Sequence, residues 1–330
     1  MSSFKLKLAA FGAALFLALP AAPALAQAGK APAKLTFRLD WKPSGAHAPF
    51  YIGKALGYYA EEGIDLEIIS GSGSSDSVKQ LGANAVDMAL VDGLVLAQAG
   101  EQRVPIKSVA AYYTRTPIAV ISPKAKPITS AAQLTSGAKI GSKRASSTYQ
   151  GLTALLAVNK IDPKRVNIVD IGFGVQPLLV GQVDALMGFT MNEAIEAESA
   201  GMPVHEMLIA DQGVVAYGLT LASGDRFLKA KPELVRAFLR ATRRAVQYTA
   251  THQQEAVAAL AKSVSEMDPA RELKVLGKAM PFWSVQGQDL SSFGTQSLEG
   301  WQQTVETAQR VGLVEKAPAA KDLFADGFLK

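Results

Sequence analysis

Cysteine is absent from the 330-residue chain, and this absence excludes several kinds of site. Without a thiol there is no disulfide, no thiolate nucleophile and no cysteine that a lipid could modify. Only three histidines occur, His47, His205 and His252, and they are too widely separated to predict a metal-binding cluster. No P-loop, G-x-S-x-G elbow, H-E-x-x-H or G-x-G-x-x-G following a strand is present. We therefore expect no catalytic residue, no metal and no cofactor.

Concentrated positive charge is also missing, because the formal charge of +5 is spread along the chain. The densest group, Arg236, Arg240, Arg243 and Arg244, lies on one predicted helix, where it is typical of a solvated face. We expect no nucleic-acid partner.

The amino-terminal segment predicts export. Lys5 and Lys7 precede an apolar run over residues 8–19, and Ala24-Leu25-Ala26 forms an A-x-A cleavage site. The run is shorter than the roughly 20 residues that cross a bilayer, so it indicates a signal peptide and not an anchor. Cleavage after Ala26 removes two lysines and no acid, leaving 304 residues with a formal charge of +3. The mature protein is expected to be a soluble periplasmic monomer.

Short β-rich runs alternate with helical patterns in two successive sets, which predicts an α/β fold. The predicted strands cover residues 35–39, 65–69, 87–91 and 106–112, then 139–141, 166–170, 184–187 and 204–208. The last third is helical from Pro232, and we expect these helices to cover the first α/β unit. Crossings between the units are predicted at Ile118–Pro123 and at residues 214–222. Two crossings make a hinge, with a ligand cleft between the units.

Aromatic and hydrogen-bonding side chains gather where the first predicted strand meets a loop. The candidate ligand-binding residues here are Asp40, Trp41, His47 and Tyr51. Open α/β sheets bind ligands at the carboxyl ends of their strands. For Trp41 the alternative is core packing, but its loop contains Pro43 and Gly45, which favours an accessible wall that stacks on a ligand. For His47 both interpretations are kept.

Hydroxyl-rich segments open a helix at matching positions in the two units. The candidates are Ser74 and Ser75, with Asp92 after the third strand, and Ser146, Ser147 and Thr148 in the second unit. Exposed N–H groups and hydroxyls at such places hold anions or polar ligand atoms. Helix capping accounts for one hydroxyl at each start, whereas several in succession favour a place in the cleft.

Asn192 and Glu193 follow the strand at residues 184–187 and open another helix. A glutamate in a first helical turn is favoured by the helix dipole alone. The functional alternative is that Glu193 accepts hydrogen bonds from an amino group or ring N–H of a ligand. Such charge-assisted bonds contribute about 1.5 to 3 kcal/mol each.

Two motifs carry a family resemblance. Residues 39–51 read L-D-W-x-P-x-x-x-H-x-P-x-Y and residues 57–65 read G-Y-Y-x-x-E-G-I-D. Together they resemble the thiamine-pyrimidine-precursor binding family (SsuA/THI5-like), whose relatives bind nitrate, taurine and alkanesulfonates. The likeness continues through G-Q-V-D-A at residues 181–185, Asn192-Glu193, the helix from Pro232 and residues 301–314. It therefore covers nearly all of the mature chain.

The resemblance implies a type II periplasmic-binding-protein fold, with two α/β lobes joined by a two-crossing hinge. Its expected segments are the signal peptide at residues 1–26, the first lobe at 27–119 and 217–330, and the second lobe at 120–216. In pyrimidine-binding members an aromatic residue stacks on the ring and an acid pairs with the aminopyrimidine, roles that would fall to Trp41 and Glu193.

Departures from the family are informative about catalysis. Fungal members synthesise the pyrimidine, and their lysine and histidine align with Val91 and Val95, while their cysteine-rich motif has no counterpart here. An enzymatic role is therefore not expected. Ser44 replaces an asparagine common in bacterial members, which leaves the ligand open.

Four functions follow in order of preference. The first is capture of a small heteroaromatic, such as a thiamine-precursor pyrimidine, for the permease of an ABC importer. The second is binding of an alkanesulfonate, nitrate or aromatic acid anion by Ser74, Ser75, Ser146 and Ser147, with Arg144 as the nearest cation. The third is a pyrimidine-synthesising enzyme. The fourth is a periplasmic sensor subunit that presents its ligand to a receptor.

Overall fold

Alternating strands and helices build two five-stranded sheets in the computed structural model, which describes residues 31–144, 146–172 and 174–329. The predicted signal peptide and its cleavage site lie outside these residues. The strands are β1 (Ala33–Arg38), β2 (Ile64–Ile69), β3 (Met88–Asp92), β4 (Ile106–Ala111), β5 (Ile118–Pro123), β6 (Lys139–Ser142), β7 (Asn167–Asp170), β8 (Ala185–Phe189), β9 (Val204–Leu208) and β10 (Leu219–Gly224). All eight predicted strands are present, with ends that differ by a few residues at most.

Twelve α-helices of the described residues surround the sheets. They are α1 (Ala48–Ala55), α2 (Tyr58–Glu61), α3 (Ser74–Gly82), α4 (Gly93–Glu101), α5 (Ser147–Val158), α6 (Gln176–Leu179), α7 (Ile195–Ser199), α8 (Asp225–Ala230), α9 (Pro232–Thr251), α10 (Gln253–Ser263), α11 (Pro269–Ala279) and α12 (Leu298–Arg310). The helix predicted from Pro232 is α9. The predicted helix through Trp301 is α12, which ends at Arg310 before Gly312.

The first sheet has the strand order β2-β1-β3-β10-β4, and the second has the order β7-β6-β8-β5-β9. Strands β1, β2 and β3 are parallel, as are β6, β7 and β8. Each sheet also contains one antiparallel strand, β10 in the first and β5 in the second. The carboxyl ends of the parallel strands meet at one edge of each sheet, which we call the carboxyl edge.

The chain passes between the sheets twice, at residues 112–117 (the first crossing) and 209–218 (the second crossing). The prediction that Ile118–Pro123 is a crossing is wrong, because these residues form β5 inside the second sheet. The second crossing was predicted correctly only in part, since residues 219–222 belong to β10. Both sheets lie in one compact unit, Pro32–Lys330.

Both faces of each sheet are covered, which is why the strands read as nearly continuous apolar runs. In β3, Met88 and Leu90 enter one hydrophobic cluster, whereas Ala89 and Val91 enter the cluster on the opposite face. Helices α9 and α10 lie against α1 over the first sheet, as predicted. Helix α12 lies against α4 and also reaches α5 beside the second sheet. The last helix therefore contacts elements of both halves.

Three of the four clustered arginines on α9 are paired with the protein's own acids. Arg236 pairs with Glu233, Arg240 with Glu62, and Arg244 with Glu61. This arrangement agrees with the predicted solvated face of the helix.

Candidate functional site

Loops at the carboxyl edge of the first sheet are joined by backbone hydrogen bonds. Gly73 N donates to Asp40 O at 2.7 Å, and Gly71 N donates to Trp41 O at 3.0 Å. Ser74 Oγ then accepts a bond from Asp92 N at 3.0 Å. The structure thus brings the predicted residues Asp40, Trp41, Ser74 and Asp92 to one place.

Glycine is required at position 71 for this approach of the two loops. A Cβ atom on Gly71 would lie 2.0 Å from Leu39 O. No side chain fits at such a distance, so the glycine-serine segment owes its composition to loop packing as well as to any ligand.

His47 orients the carboxylate of Asp40. Its Nδ1 accepts a hydrogen bond from Ser44 N at 3.1 Å, and its Nε2 lies 2.9 Å from Asp40 Oδ1. Because a backbone N–H can only donate, Nδ1 is the unprotonated nitrogen and Nε2–H donates to Asp40. The histidine is only 4% exposed, and both of its nitrogens are engaged within the protein. We therefore assign His47 to positioning Asp40 and not to direct contact with a ligand.

Glu272 of α11 stabilises the loop that contains Gly45. Its Oε2 accepts a bond from Gly45 N at 2.5 Å, and it forms an ion pair with Arg271. Tyr112 at the first crossing donates from its hydroxyl to Ala46 O at 2.6 Å. Sequence reasoning missed Glu272 because it lies 227 residues from Gly45, and no local pattern links the two.

Asp92 is the N-cap of α4. Its Oδ1 accepts bonds from Leu94 N at 2.9 Å and from Val95 N at 3.4 Å. Burial raises the pKa of Asp92 to about 7; its two bonds with backbone N–H groups oppose this rise, and the negative charge of Asp40 adds to it. The carboxyl group is therefore partly protonated near neutral pH.

The remaining predicted residues of the first half differ in their exposure. Trp41 is 42% exposed at the carboxyl edge, as expected of an accessible aromatic wall. Tyr51 lies in α1 within the hydrophobic cluster of the first sheet, where burial raises its pKa to about 12. Ser75 is exposed on α3. The structure does not place Tyr51 and Ser75 in the hydrogen-bonded group of Asp40, Ser74 and Asp92.

At the carboxyl edge of the second sheet, Ser146 is the N-cap of α5. Its Oγ accepts a bond from Tyr149 N at 3.2 Å, donates to Lys143 O at 2.6 Å, and lies 2.9 Å from Thr148 Oγ1. Capping thus accounts for Ser146, which was the structural alternative. Ser147 is the first residue of α5 and is partly exposed.

Thr148 and Glu193 line the same small cavity, of about 20 Å³, at this edge. The other residues that line it are Lys143, Ile171, Gly172, Gly174, Leu186 and Met187. Lys143 was missed as a site residue, although its position directly after β6 and before the serine cluster is a usable signal. The cavity therefore combines a carboxyl group, an ammonium group and a hydroxyl.

The Glu193 side chain binds the backbone at the end of β8, the strand that precedes it. It lies in a π-helical turn, Thr190–Ala194, and its Oε2 accepts a bond from Phe189 N at 2.8 Å. Burial raises the pKa of Glu193 above the ordinary value, and its backbone hydrogen bonds oppose this rise. A Cβ on Gly188 would lie 2.8 Å from Glu193 Cβ, so position 188 has no room for a side chain. Asn192, half-buried in the same turn, precedes it.

The two edges together present an exposed aromatic ring, three carboxyl groups, a lysine and several hydroxyls. Within the parts of the chain that the structure describes, no group of His, Asp and Glu is arranged to hold a metal ion. In the same residues, no helix is both long enough and apolar enough to span a membrane. Val91 and Val95 are buried in a hydrophobic cluster of the first half, where they offer no reactive group.

The family described as NMT1/THI5 like matches residues 44–256, and the chain belongs to this family. The riboflavin-binding protein RibY of Chloroflexus aurantiacus is 28% identical over 324 residues, covering 94% of this chain and 90% of RibY. The 4-amino-5-hydroxymethyl-2-methylpyrimidine phosphate synthase THI5 of Saccharomyces cerevisiae is 30% identical over 233 residues, covering 65% of this chain and 66% of the synthase.

Among solved structures, the periplasmic aliphatic sulphonate binding protein SsuA of Escherichia coli matches with a TM-score of 0.71 and 13% identity. The match covers 90% of this chain and 93% of SsuA. The predicted fold class is confirmed: the mixed α/β architecture with two sheets is that of the periplasmic binding proteins.

Proposed function

We propose that the chain is the solute-binding component of an ABC importer and captures its ligand between the carboxyl edges of the two sheets. In this proposal residues 32–111 and 219–329 form one lobe and residues 118–208, which include all of β5, form the other, with the two crossings between them. The fold, the family and the similarity to RibY support a solute-binding role. Hydrogen-bonding groups at both edges, where open sheets bind ligands, support the location.

The proposed ligand is a small heteroaromatic molecule with an amino group or ring N–H. The observation that carries this choice is the set of hydrogen-bond acceptors at the two edges, the carboxyl groups of Asp40, Asp92 and Glu193. Trp41 supplies an exposed ring that can stack on a flat ligand. Both RibY, which by its name binds riboflavin, and the pyrimidine synthase handle nitrogen heterocycles.

Binding of an anion is the second candidate, because Lys143 shares the small cavity with Glu193. The fold match to a sulphonate binder is compatible with this alternative. Against it stand the carboxyl group of Glu193 in the same cavity and that of Asp40 at the opposite edge, which repel a negative ligand when they are ionised.

A pyrimidine-synthesising enzyme is the third candidate function, and it is less favoured than either binding function. Val91 and Val95 occupy the positions where the fungal enzymes have their lysine and histidine, and both valines lie in a hydrophobic cluster. We therefore propose a binding protein without catalytic activity or a cofactor.

We also propose that residues 1–26 are a signal peptide that directs export to the periplasm, where the chain acts as a monomer with an inner-membrane permease as its partner. Mass spectrometry of the exported protein is expected to find Gln27 at the mature amino terminus. Retention of residues 1–26 in an export-competent host would refute this assignment. Capture of a receptor in place of a permease would favour the sensor alternative.

The ligand class is tested by calorimetric titration with riboflavin, with 4-amino-5-hydroxymethyl-2-methylpyrimidine and with an aliphatic sulphonate. We expect Glu193→Gln to weaken binding of the amino-bearing ring by about tenfold or more, because a charge-assisted hydrogen bond is lost. Trp41→Phe is expected to weaken it less, since an aromatic face is kept. Glu198→Gln, an exposed acid on α7, is the matched control and should change little.

Unaltered or tighter binding by Glu193→Gln would overturn the heteroaromatic proposal. If the sulphonate binds and Glu193→Gln binds it more tightly, the anion candidate replaces it. The solute-binding assignment survives that outcome but not a failure of every class of ligand to bind.

A further inference from the structure

A cavity of about 330 Å³ lies beside the two crossings. The residues that line it are Thr114, Arg115, Ala210, Val214, Val215, Ala216, Tyr217, Val285, Gln286, Thr295, Gln296, Ser297, Gly300 and Gln303. Its walls therefore come from the first crossing, the second crossing and residues 285–303. Its volume is within the range of pockets that bind small organic molecules.

This cavity adjoins the first carboxyl edge, because Tyr217 of its lining packs against Gly93 next to Asp92, but it shares no residue with the candidate ligand site. None of the twelve residues predicted to bind ligand lines it. In the first sheet, β4 is the strand at the opposite end from β2, and Gly294 pairs with Ala111 of β4. Residues 285–303 thus extend beyond the β4 side of the sheet, away from the loops that carry Asp40 and Ser74.

The charge of Arg115 is paired with Asp211, but the donor groups of the lining favour a ligand that carries an acceptor such as a carboxylate. Arg115 is the one charged residue among the described residues that form the wall. One of its Nη atoms bonds Asp211 at 2.8 Å, its guanidinium lies over the Phe282 ring, and its buried Nε has no hydrogen-bond partner among the described residues. Ser297 and Gly300, from the amino-terminal turn of α12, add the positive end of a helix dipole.

The rest of the lining favours an apolar body on the same molecule. Val214, Val215 and Val285 contribute aliphatic surface, and the Val215 side chain is 49% exposed. An aliphatic or aromatic portion would cover this surface while a carboxylate approached Arg115.

Hydrogen bonds tie the walls to the crossings. Tyr217 N donates to Thr304 Oγ1 at 3.1 Å, and Thr307 Oγ1 donates to Val215 O at 2.7 Å. On the other side, Thr114 Oγ1 donates to Ser284 O at 2.7 Å. Rotation about the crossings therefore changes the shape of the cavity. A molecule that fits one shape better shifts the equilibrium between lobe orientations.

We propose that this cavity is a second small-molecule site, specific for organic monocarboxylates with an aromatic or aliphatic body, and that its occupancy biases the hinge. The site is distinct from the importer ligand of the proposed function and does not depend on that ligand's identity.

The test uses the full mature chain with 4-phenylbutanoate as the probe and no other ligand. Saturation-transfer NMR and calorimetry are expected to detect binding of the probe with a Kd below about 10 mM. Binding should weaken about tenfold or more when Arg115→Gln removes the charge, and also for the neutral amide of the probe. Val215→Trp, which fills the cavity from an exposed position, should abolish binding, whereas Val180→Trp at a more exposed valine outside the cavity should not.

The hinge is monitored by spin labels on Lys79→Cys and Gln176→Cys, exposed positions on α3 and α6 of a chain that has no other cysteine. The probe should change the distance distribution between the labels in the unmodified background and not in Val215→Trp. Absence of binding, binding that survives Val215→Trp, or an unchanged distance distribution would each overturn the proposal. Thermal melting of each variant identifies any loss of folding, and the milder Val215→Leu then repeats the cavity-filling test.

Discussion

At the scale of single residues, Asp92 combines a stabilising role with a costly environment. Its carboxyl group caps α4, which favours the ionised form, yet the group is 9% exposed and close to Asp40. The effect of burial on the pKa of Asp92 exceeds that of the capping hydrogen bonds, because the pKa is raised to about 7. The residue is therefore poised to change its charge near neutral pH.

This environment predicts a pH-dependent effect of Asp92→Asn. Between pH 4 and about 7 the folded protein holds a proton that the unfolded chain has lost, so stability falls as pH rises through the folded pKa. Asparagine keeps the capping oxygen and lacks the charge. Relative to wild type, the variant should gain up to about 4 kcal/mol of unfolding free energy between pH 4 and pH 8. Urea unfolding at both pH values measures this gain.

Asp76→Asn is a control of opposite sign. A hydrogen bond from Ser72 and the pairing with Arg38 hold the pKa of Asp76 below its usual value. Its contribution to stability is present above the unfolded pKa and is lost as pH falls, so this variant should be at a greater disadvantage at pH 8 than at pH 4. Equal pH profiles for the two variants would contradict both pKa directions.

At the scale of elements, α11 positions the loop that carries Trp41 and His47. A Cβ on Gly45 would lie 1.9 Å from Glu272 O, so the backbone of the loop and that of the helix are in direct contact. Gly45→Ala is expected to cost about 1 to 3 kcal/mol or more, since roughly 1 to 3 kcal/mol is the typical cost of forcing a carbon into a packed site. Chemical denaturation provides the measurement.

Gly277→Ala on the same helix is the matched control. Gly277 is exposed within α11, and an added Cβ would meet no atom within 4 Å. Alanine should therefore stabilise the helix by about 0.5 to 1 kcal/mol. If Gly45→Ala proved as harmless as Gly277→Ala, the close packing of loop and helix would be refuted.

The elements also show what the sequence could predict of the fold. Strands followed by helices were found from their apolar runs and from glycine-serine segments at their ends. Ile118–Pro123 was instead assigned to a crossing, and β10 was not recognised as a strand. Both are the antiparallel members of their sheets. Each joins a sheet whose other strands lie far away in the chain, and local periodicity carries no sign of such pairing.

The candidate site could be predicted from the sequence to about the same extent as the fold. Asp40, Ser74 and Asp92 were found because strand ends of parallel sheets converge. The positions of Tyr51 in the core and of His47 behind Asp40 depend on which face of a helix or turn points inward, which single residues do not reveal. Glu272 could not be found, because its contact with Gly45 forms only when the last third of the chain folds back onto the first.

At the scale of the whole molecule, side chains from the two halves meet at α11 and at the first crossing. Lys278 of α11, beside the first sheet, forms an ion pair with Glu206 of β9 in the second sheet. The Tyr113 hydroxyl, at the first crossing, lies 3.7 Å from Met191 Sδ, which belongs to the turn that carries Glu193. These contacts favour the relative orientation of the sheets seen here.

Removing the ion pair should therefore shift the protein toward more open orientations if the proposed hinge is correct. Lys278→Gln leaves Glu206, which is largely buried, without its partner, and an unpaired acid gains solvation when the sheets separate. We expect longer distances between spin labels at Lys79→Cys and Gln176→Cys in the unliganded variant.

The affinity for ligand should also change. A ligand held by both edges must offset the opening, so its affinity should fall by a few-fold, in line with the reduced population of the binding-competent state. Lys274→Gln, an exposed lysine one turn earlier on α11, loses the same charge and should leave both quantities unchanged. Identical distance distributions for the two variants would show that the ion pair has no influence on the hinge.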